Sequence, residues 1–223
     1  GDSYRFTVKV GKPENPETTK IGTSAGKRAA FRCLLSNVPI SYDHIRSEGQ
    51  AGRMGARLMA IVAEGKSGRI YLSPSPQHET IAKQAQPEWK PEINLPHNPR
   101  DFNTPNYGLT AFADLFTPRQ LVALNTFADL VSEAREKVKE DAIAAGLADD
   151  NLGLNTGGTG AQAYADAVAV YLAFVVDKAS DYWSTICTWH SSKELIRNTF
   201  GRQAIPMSWD YAETNGFSDS AGN

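Results

Sequence analysis

Pro87, Pro91, Pro96, Pro99 and Pro105 fall between positions 87 and 105, and no regular helix runs through a segment so punctuated. Each proline fixes φ and removes a backbone donor, which favours extended structure. The chain is therefore expected to divide here. The pattern on the two sides differs. Before the connector, short alternating runs and glycine turns predict small β structure. After it, apolar residues recur at helical spacing. The expected fold class is α+β. An antiparallel ribbon-like β portion covers residues 1–75, a short helix and the proline-rich connector cover 76–106, and a helical portion covers 107–223.

In the first part, Tyr4, Phe6, Val8 and Val10 alternate with Arg5, Thr7 and Lys9, which predicts a strand over residues 4–10. Further strands are expected at 28–33, 38–40, 57–63 and 69–72. Gly65-Lys66-Ser67-Gly68 reads as a hairpin turn between the last two. Ser41 is placed to cap a short helix through Ile45. Gly49, Gly52 and Gly55 read as a loosened stretch, and a short helix is expected around 78–84. The chain opens without Met and directly into the alternating pattern, so a piece of a longer protein is expected.

In the helical part, Thr117-Pro118-Arg119-Gln120 combines an N-cap, a proline at the first helical position and a capping box. Leu121, Leu124, Ala128, Val131, Ala134 and Val138 follow at helical spacing, predicting a rod to about Gly146, roughly 40 Å long. A second long helix is expected over 161–183, with Val168, Tyr171, Leu172 and Val175 on one face. The polar, glycine-rich loop between them, 149–160, is expected to be mobile and to tolerate deletion. Ser191-Ser192-Lys193-Glu194 offers another capping box, predicting a helix to Phe200. Pro206 is expected to start a last helix through Glu213, and 217–223 to form a frayed tail.

Composition excludes some functions. Hydrophobic residues make up 41% and charged residues 22%, so a globular core is attainable. The net charge of −2 gives no global basic field, and any nucleic-acid contact must be local. Two distant cysteines, Cys33 and Cys187, do not make a disulfide scaffold, and a reducing, cytoplasmic setting is expected. The apolar run 161–176 is interrupted by Gln162 and Asp166 and is too short and polar for a membrane span.

Motifs for chemistry are sparse. Gly22 to Arg28 has three residues between its glycines and no hydroxyl after Lys27, so it fails as a phosphate loop. Cys33 and Ser36 have knuckle spacing but only one thiolate, and a site completed by His44, Cys187 and His190 would be unusual. A Cys187–His190 dyad lacks an orienting third group. No metal ligand or catalytic residue is assigned. The richest segment interleaves Trp183, Trp189, Phe200, Trp209 and Tyr211 with His190, Lys193, Arg197, Asn198 and Arg202. Aromatic and basic residues together suit a nucleic-acid strand, but aromatics are also the usual currency of interfaces, and a buried aromatic interface with a solvated basic rim is the more ordinary reading. Trp189, Lys193, Arg197, Arg202 and Trp209 are the site candidates. On the expected helix, Lys193 and Arg197 share a face.

Four stretches resemble the zinc-ribbon-containing, adenine-specific DNA methylases of bacteria and archaea. They are Gly52-Arg53-Met54-Gly55-Ala56-Arg57-Leu58-Met59, the run from Tyr107 to Leu121, Tyr182-Trp183-Ser184-Thr185-Ile186-Cys187-Thr188-Trp189, and the run from Arg202 to Tyr211. The resemblance implies a non-catalytic middle segment of an S-adenosylmethionine-dependent DNA methyltransferase. That segment would shape the DNA cleft or support a flanking catalytic domain of the same protein. It implies DNA as the partner of the whole enzyme and S-adenosylmethionine as that enzyme's cofactor, with no cofactor held by this segment. The family's glycine-rich cofactor motif and its Asp/Asn-Pro-Pro-Tyr base motif are absent from these 223 residues. Thr104-Pro105-Asn106-Tyr107 is only a partial likeness to the second. Cys33 and Ser36 sit where the family's zinc knuckle is expected, so the ribbon would be degenerate. A free-standing nucleic-acid-binding module or a structural assembly module remain the alternatives.

Overall fold

The computed structural model describes residues 4–26 and 30–217. The fold is α+β, with three separate two-stranded antiparallel sheets and five α-helices among the described residues. It divides into two compact units. The first comprises Gly1–Gln84, Ile93–Asp114 and Ala204–Met207. The second comprises Ala85–Glu92, Leu115–Gln203 and Ser208–Asn223.

The first unit is built from short elements pinned by side chains. Helix α1 (Pro16–Ile21) is capped by Asn15, whose side chain accepts from Thr18 N–H. Strands β1 (Phe31–Arg32) and β2 (Pro39–Ile40) pair across a turn at Cys33 to Asn37, where Asn37 takes the left-handed conformation at φ 58°. Of the strand expected at 28–33, residues 28 and 29 lie outside the described residues. Ser41 caps α2 (Tyr42–Gln50) through His44 N–H, and this helix runs a turn beyond the expected stop at Ile45. Strands β3 (Ile61–Gly65) and β4 (Gly68–Leu72) form the expected hairpin around Lys66 and Ser67, with Gly68 at φ 131° supplying the turn. The strand begins at Ile61 rather than at 57, because Arg57 is drawn instead to Glu79 at 2.8 Å. Glu79 belongs to α3 (Pro76–Ala82) and also accepts from Leu58 N–H.

Residues 4–10 do not form the expected strand. Val8 N–H donates to the Ser73 hydroxyl at 2.8 Å, and Tyr4 is held between Phe6 and the Arg57 guanidinium. With side-chain anchors in place of a neighbouring ladder, the alternation in this segment has no sheet to enter. Gly49 also differs from expectation. It is buried within α2, and its backbone crosses Tyr107 and Gly108 so closely that a Cβ on either glycine would overlap the other segment's carbonyl. Small size, not looseness, is what this position requires.

The second unit is organised by α4 (Pro118–Ala144) and α5 (Ala161–Tyr182). Thr117 and Gln120 close the expected capping box, Thr117 N–H donating to Gln120 Oε1 at 2.8 Å and Gln120 N–H to Thr117 Oγ1 at 3.2 Å. Arg135 pairs with Asp166 and Lys139 with Gln162, so the two helices run antiparallel. Leu115, Leu121, Trp183, Ile186, Cys187 and Ile196 are buried in this unit. Phe127 lies between the rings of Trp183 and Phe217, at 5.6 and 5.8 Å. Of the expected tail, Phe217 touches Phe127 but is 80% exposed, and residues 218–223 lie outside those described.

The interhelical loop contradicts the expectation of mobility. Asp150 accepts from Thr159 and Leu152 N–H, Asp166 from Leu154 N–H, and Asp149 is paired with Lys139 at 3.0 Å. Gly158 and Gly160 are buried, and a Cβ on either would overlap backbone of the same loop. The glycines are there because the loop is dense. Deleting residues 151–158 is therefore expected to destabilise the protein by more than about 2 kcal/mol, well beyond an exposed-loop change. Urea denaturation of the shortened chain measures this, and an unchanged midpoint would show the loop to be dispensable.

The two expected C-terminal helices are also absent. Residues 188–197 form a β-hairpin, β5 (Thr188–His190) with β6 (Leu195–Arg197), and Ser191 to Glu194 form its turn. Glu194 sits at φ 51°, and the N–H groups of Lys193 and Glu194 both donate to His190 carbonyl. A helix is excluded further on because Asp181 takes the Thr199 and Phe200 N–H groups. Within 206–213, Trp209 and Asp210 form a bend, after which Thr188 bridges Tyr211 and Ala212 N–H donates to Cys187 carbonyl. The open edge of the hairpin offers these backbone groups a partner that an isolated helix would lack.

Candidate nucleic-acid interface

The sequence candidates gather on and after the β5–β6 hairpin. Cross-strand partners share a face, so Trp189 and Ile196 point one way and Thr188, His190, Leu195 and Arg197 the other. Ile196 is buried and Trp189 half-buried, which makes theirs the inner face. Arg197 and Lys193 are exposed, Arg197 on the outer face and Lys193 in the turn. They share one hairpin but not the helix face expected for them. Arg202 is exposed in the bend at 201–204, and Trp209 is 40% exposed in a further bend at 209–210. None of the three cations forms an ion pair with a described residue. His190 belongs with them on the outer face. Helical periodicity could not place it there, whereas the alternation Thr188-Trp189-His190 is the signal that does.

A buried polar knot fixes this hairpin to the end of α5. The Asp181 carboxylate accepts from Asn198 Nδ2 at 2.7 Å and Phe200 N–H at 2.9 Å, and lies 3.3 Å from the Lys178 ammonium. Its carbonyl accepts from Thr199 N–H at 2.7 Å and from the Thr199 hydroxyl at 2.8 Å. Ser184 and Thr199 hydroxyls are 2.6 Å apart, with Cys187 Sγ 3.6 Å from each. The clamp thus combines backbone and side-chain hydrogen bonds. Arg119 and Glu213 add a two-pronged ion pair at 2.7 Å, holding the last extended segment to the start of α4.

The electrostatics of the knot bear on stability. Burial works against the charge on Asp181, but the Phe200 N–H, Asn198 and Lys178 outweigh it and hold its pKa below the usual value. Asp166 is lowered too, by Leu154 N–H and then by Arg135, and Asp149 by Lys139 and Asn151 N–H. A carboxylate whose folded pKa is depressed contributes stability that is present above its unfolded pKa and lost as pH falls through the folded one. The thermal midpoint is accordingly expected to hold near neutral pH and to fall below about pH 4, the ordinary Asp range. A midpoint that rises on acidification would contradict the role given to these carboxylates.

Other sequence candidates are resolved by their partners. Cys187 is fully buried and donates toward Asp181 carbonyl at 3.5 Å, while His190 Nδ1 faces the Ser192 hydroxyl at 3.2 Å. The two are not assembled as a dyad. Ser36 hydrogen-bonds Cys33 and, with its own and Leu35's N–H, draws that thiol's pKa down. Among the described residues no group of three or more His, Cys, Asp or Glu is arranged to hold a metal ion. Among those residues, no helix is long and apolar enough to cross a membrane.

Thr104 is fully buried and Tyr107 is 7% exposed, so the short 3-10 turn Thr104–Tyr107 is packed shut and offers no ring for a base to stack on. The Arg46 guanidinium lies 5.9 Å from the Tyr107 ring centre. No step of methyl transfer is assigned to this chain. Compared with known proteins, the chain matches no family model, no curated protein and no solved structure.

Proposed function

We propose that this chain is a non-catalytic segment of an S-adenosylmethionine-dependent, adenine-specific DNA methyltransferase, and that its hairpin contacts DNA through the phosphates. One observation carries the reading. Within the second unit, parts of three stretches that resemble those methylases, far apart in sequence, are hydrogen-bonded to one another. Thr185 N–H donates to Leu115 carbonyl at 2.7 Å, and Thr188 bridges Tyr211. A resemblance that coincides with the frame of a unit is what a shared architecture would produce. The cations that frame presents are the residues for contact: Lys193 at the turn, Arg197 on the outer face and Arg202 just beyond. Phosphate contacts position a protein on a duplex without reading bases, so no sequence preference follows from them. Asp181 and Thr199 are positioning residues, acting through the hairpin they hold.

Fluorescence anisotropy with a labelled duplex tests the assignment. Weak binding at low salt is expected, and Lys193→Ala with Arg197→Ala should reduce it without changing the thermal midpoint. Equal binding by the double variant would move the hairpin to a docking role for a flanking domain. Calorimetric titration of the chain with S-adenosylmethionine is expected to give no saturable micromolar binding, and a saturable isotherm would contradict the non-catalytic assignment.

A further inference from the structure

The outer face of the β5–β6 hairpin carries one more group with the chemistry to meet a phosphate. The register pairs Thr188 with Arg197 and His190 with Leu195, so these four share that face. His190 and Arg197 are then diagonal neighbours, about 7–8 Å apart and within reach of a long side chain. Lys193 lies in the turn beside them. His190 is also the sole histidine of the second unit, since His44, His78 and His97 all belong to the first.

The ring is held at one edge and open at the other. Its Nδ1 lies 3.2 Å from the Ser192 hydroxyl, and the Lys193 and Glu194 N–H groups close the turn on the His190 carbonyl at 3.1 and 2.8 Å. Nε2 has no hydrogen-bond partner among the described residues. With Nδ1 accepting from Ser192, Nε2 carries the ring's proton. On protonation Ser192 accepts instead, both nitrogens donate, and the ring becomes a cation.

We infer that His190 is a fourth phosphate contact of this hairpin, and the one whose charge follows pH. The inference rests on the reading of Lys193, Arg197 and Arg202 as phosphate contacts. The charged groups around the ring leave it as the one that changes. On the hairpin they are Lys193, Glu194 and Arg197. After the bend at 209–210 they are Asp210, Tyr211 and Glu213, with Glu213 held by Arg119 at 2.7 Å. At the end of α5 they are Lys178 and Asp181, 3.3 Å apart. Carboxylates, ammonium and guanidinium groups ordinarily keep their charge between about pH 5.5 and 8, whereas an imidazole gains one near about pH 6.5.

Fluorescence anisotropy of the whole chain with a labelled duplex, over a salt series at about pH 8 and about pH 5.5, tests this. Both values lie above the acid range in which Asp149, Asp166 and Asp181 lose their charge, so the fold is the same at each. Exposed ion pairs are weak, so acidification should tighten binding roughly two- to fivefold at low salt. It should also steepen the slope of log K against log salt by about 0.9, one contact. His190→Gln should remove both changes and keep the parent's slope at pH 8. His190→Lys should bind at pH 8 as the parent does at pH 5.5, a gain that a misfolded variant would not show. Because protonation favours binding, binding favours protonation by the same factor, and duplex should raise the titration of the His190 ring, followed by NMR, by about 0.3–0.7 in pH.

Equal affinity and slope at both pH values overturn the inference, as does a His190→Gln chain that keeps the pH dependence or a ring whose titration the duplex leaves unchanged. These results leave the contacts of Lys193, Arg197 and Arg202 standing. A parent chain that binds no duplex at either pH overturns both.

Discussion

Gly108→Ala is expected to be among the most damaging single substitutions in the first unit. Two effects add. Gly108 sits at φ 87°, where a Cβ is strained, and that Cβ would overlap the Gly49 carbonyl. A positive φ costs a non-glycine residue on the order of 1 kcal/mol or more, and forced overpacking about 1–3 kcal/mol, giving roughly 2–4 kcal/mol in all. That is a large share of the 5–15 kcal/mol typical of a folded domain. Two neighbouring glycines separate the contributions. Gly52, at φ 69° with open space around it, should show the backbone strain alone, and Gly55, with neither constraint, almost no change. Urea midpoints ordered Gly108→Ala, Gly52→Ala, Gly55→Ala, from lowest to highest, support the close crossing. Equal midpoints for the first two would mean that the α2 backbone is free to move aside.

Asp181→Ala should have the second large effect, and it separates position from contact. The substitution strands Phe200 N–H and Asn198 Nδ2 and releases Lys178. The Asn198 bond is part-buried and the Phe200 bond exposed, so at about 0.5–1.5 kcal/mol each a loss of roughly 1–2 kcal/mol is expected. Duplex binding should weaken with it, because the segment carrying Arg197 and Arg202 loses its anchor. Lys193→Ala should weaken binding with no loss of stability. An Asp181→Ala protein of unchanged midpoint would remove the clamp from the account.

The sequence made some elements legible and others not, for physical reasons. The start of α4 was readable because cap, proline and capping-box glutamine lie within four residues and act on one another. The Lys66–Ser67 hairpin turn was readable because glycines flank it. The β5–β6 hairpin was not. Ser-Ser-Lys-Glu suits a helix cap and a four-residue turn equally well, and the deciding acceptor, Asp181, lies ten residues upstream. The same holds for 206–213, where a proline suggested a helix start and the deciding partner was the edge of β5. In the loop after α4, glycine and polarity are shared by mobile and dense loops, and only the ring of aspartates and buried glycines distinguishes them. In α5, periodicity grouped Val168, Tyr171, Leu172 and Val175, yet Val168 and Leu172 are half-buried while Tyr171 and Val175 are exposed. An apolar surround hides which side meets α4. Among the site candidates, the residues were legible and their arrangement was not, because a helix and a hairpin set Lys193 and Arg197 on different faces.

The salt dependence of duplex binding tests the central claim most directly. Each phosphate contact on B-form DNA contributes about −0.9 to the slope of log K against log salt. With Lys193, Arg197 and Arg202 as the contacts, a slope of roughly −2 to −3 is expected, made shallower by about 1 for each cation changed to alanine. It should be the same for duplexes of unrelated sequence. A slope unchanged in the Lys193, Arg197 and Arg202 triple alanine variant, or no binding by the parent chain at low salt, would contradict the account.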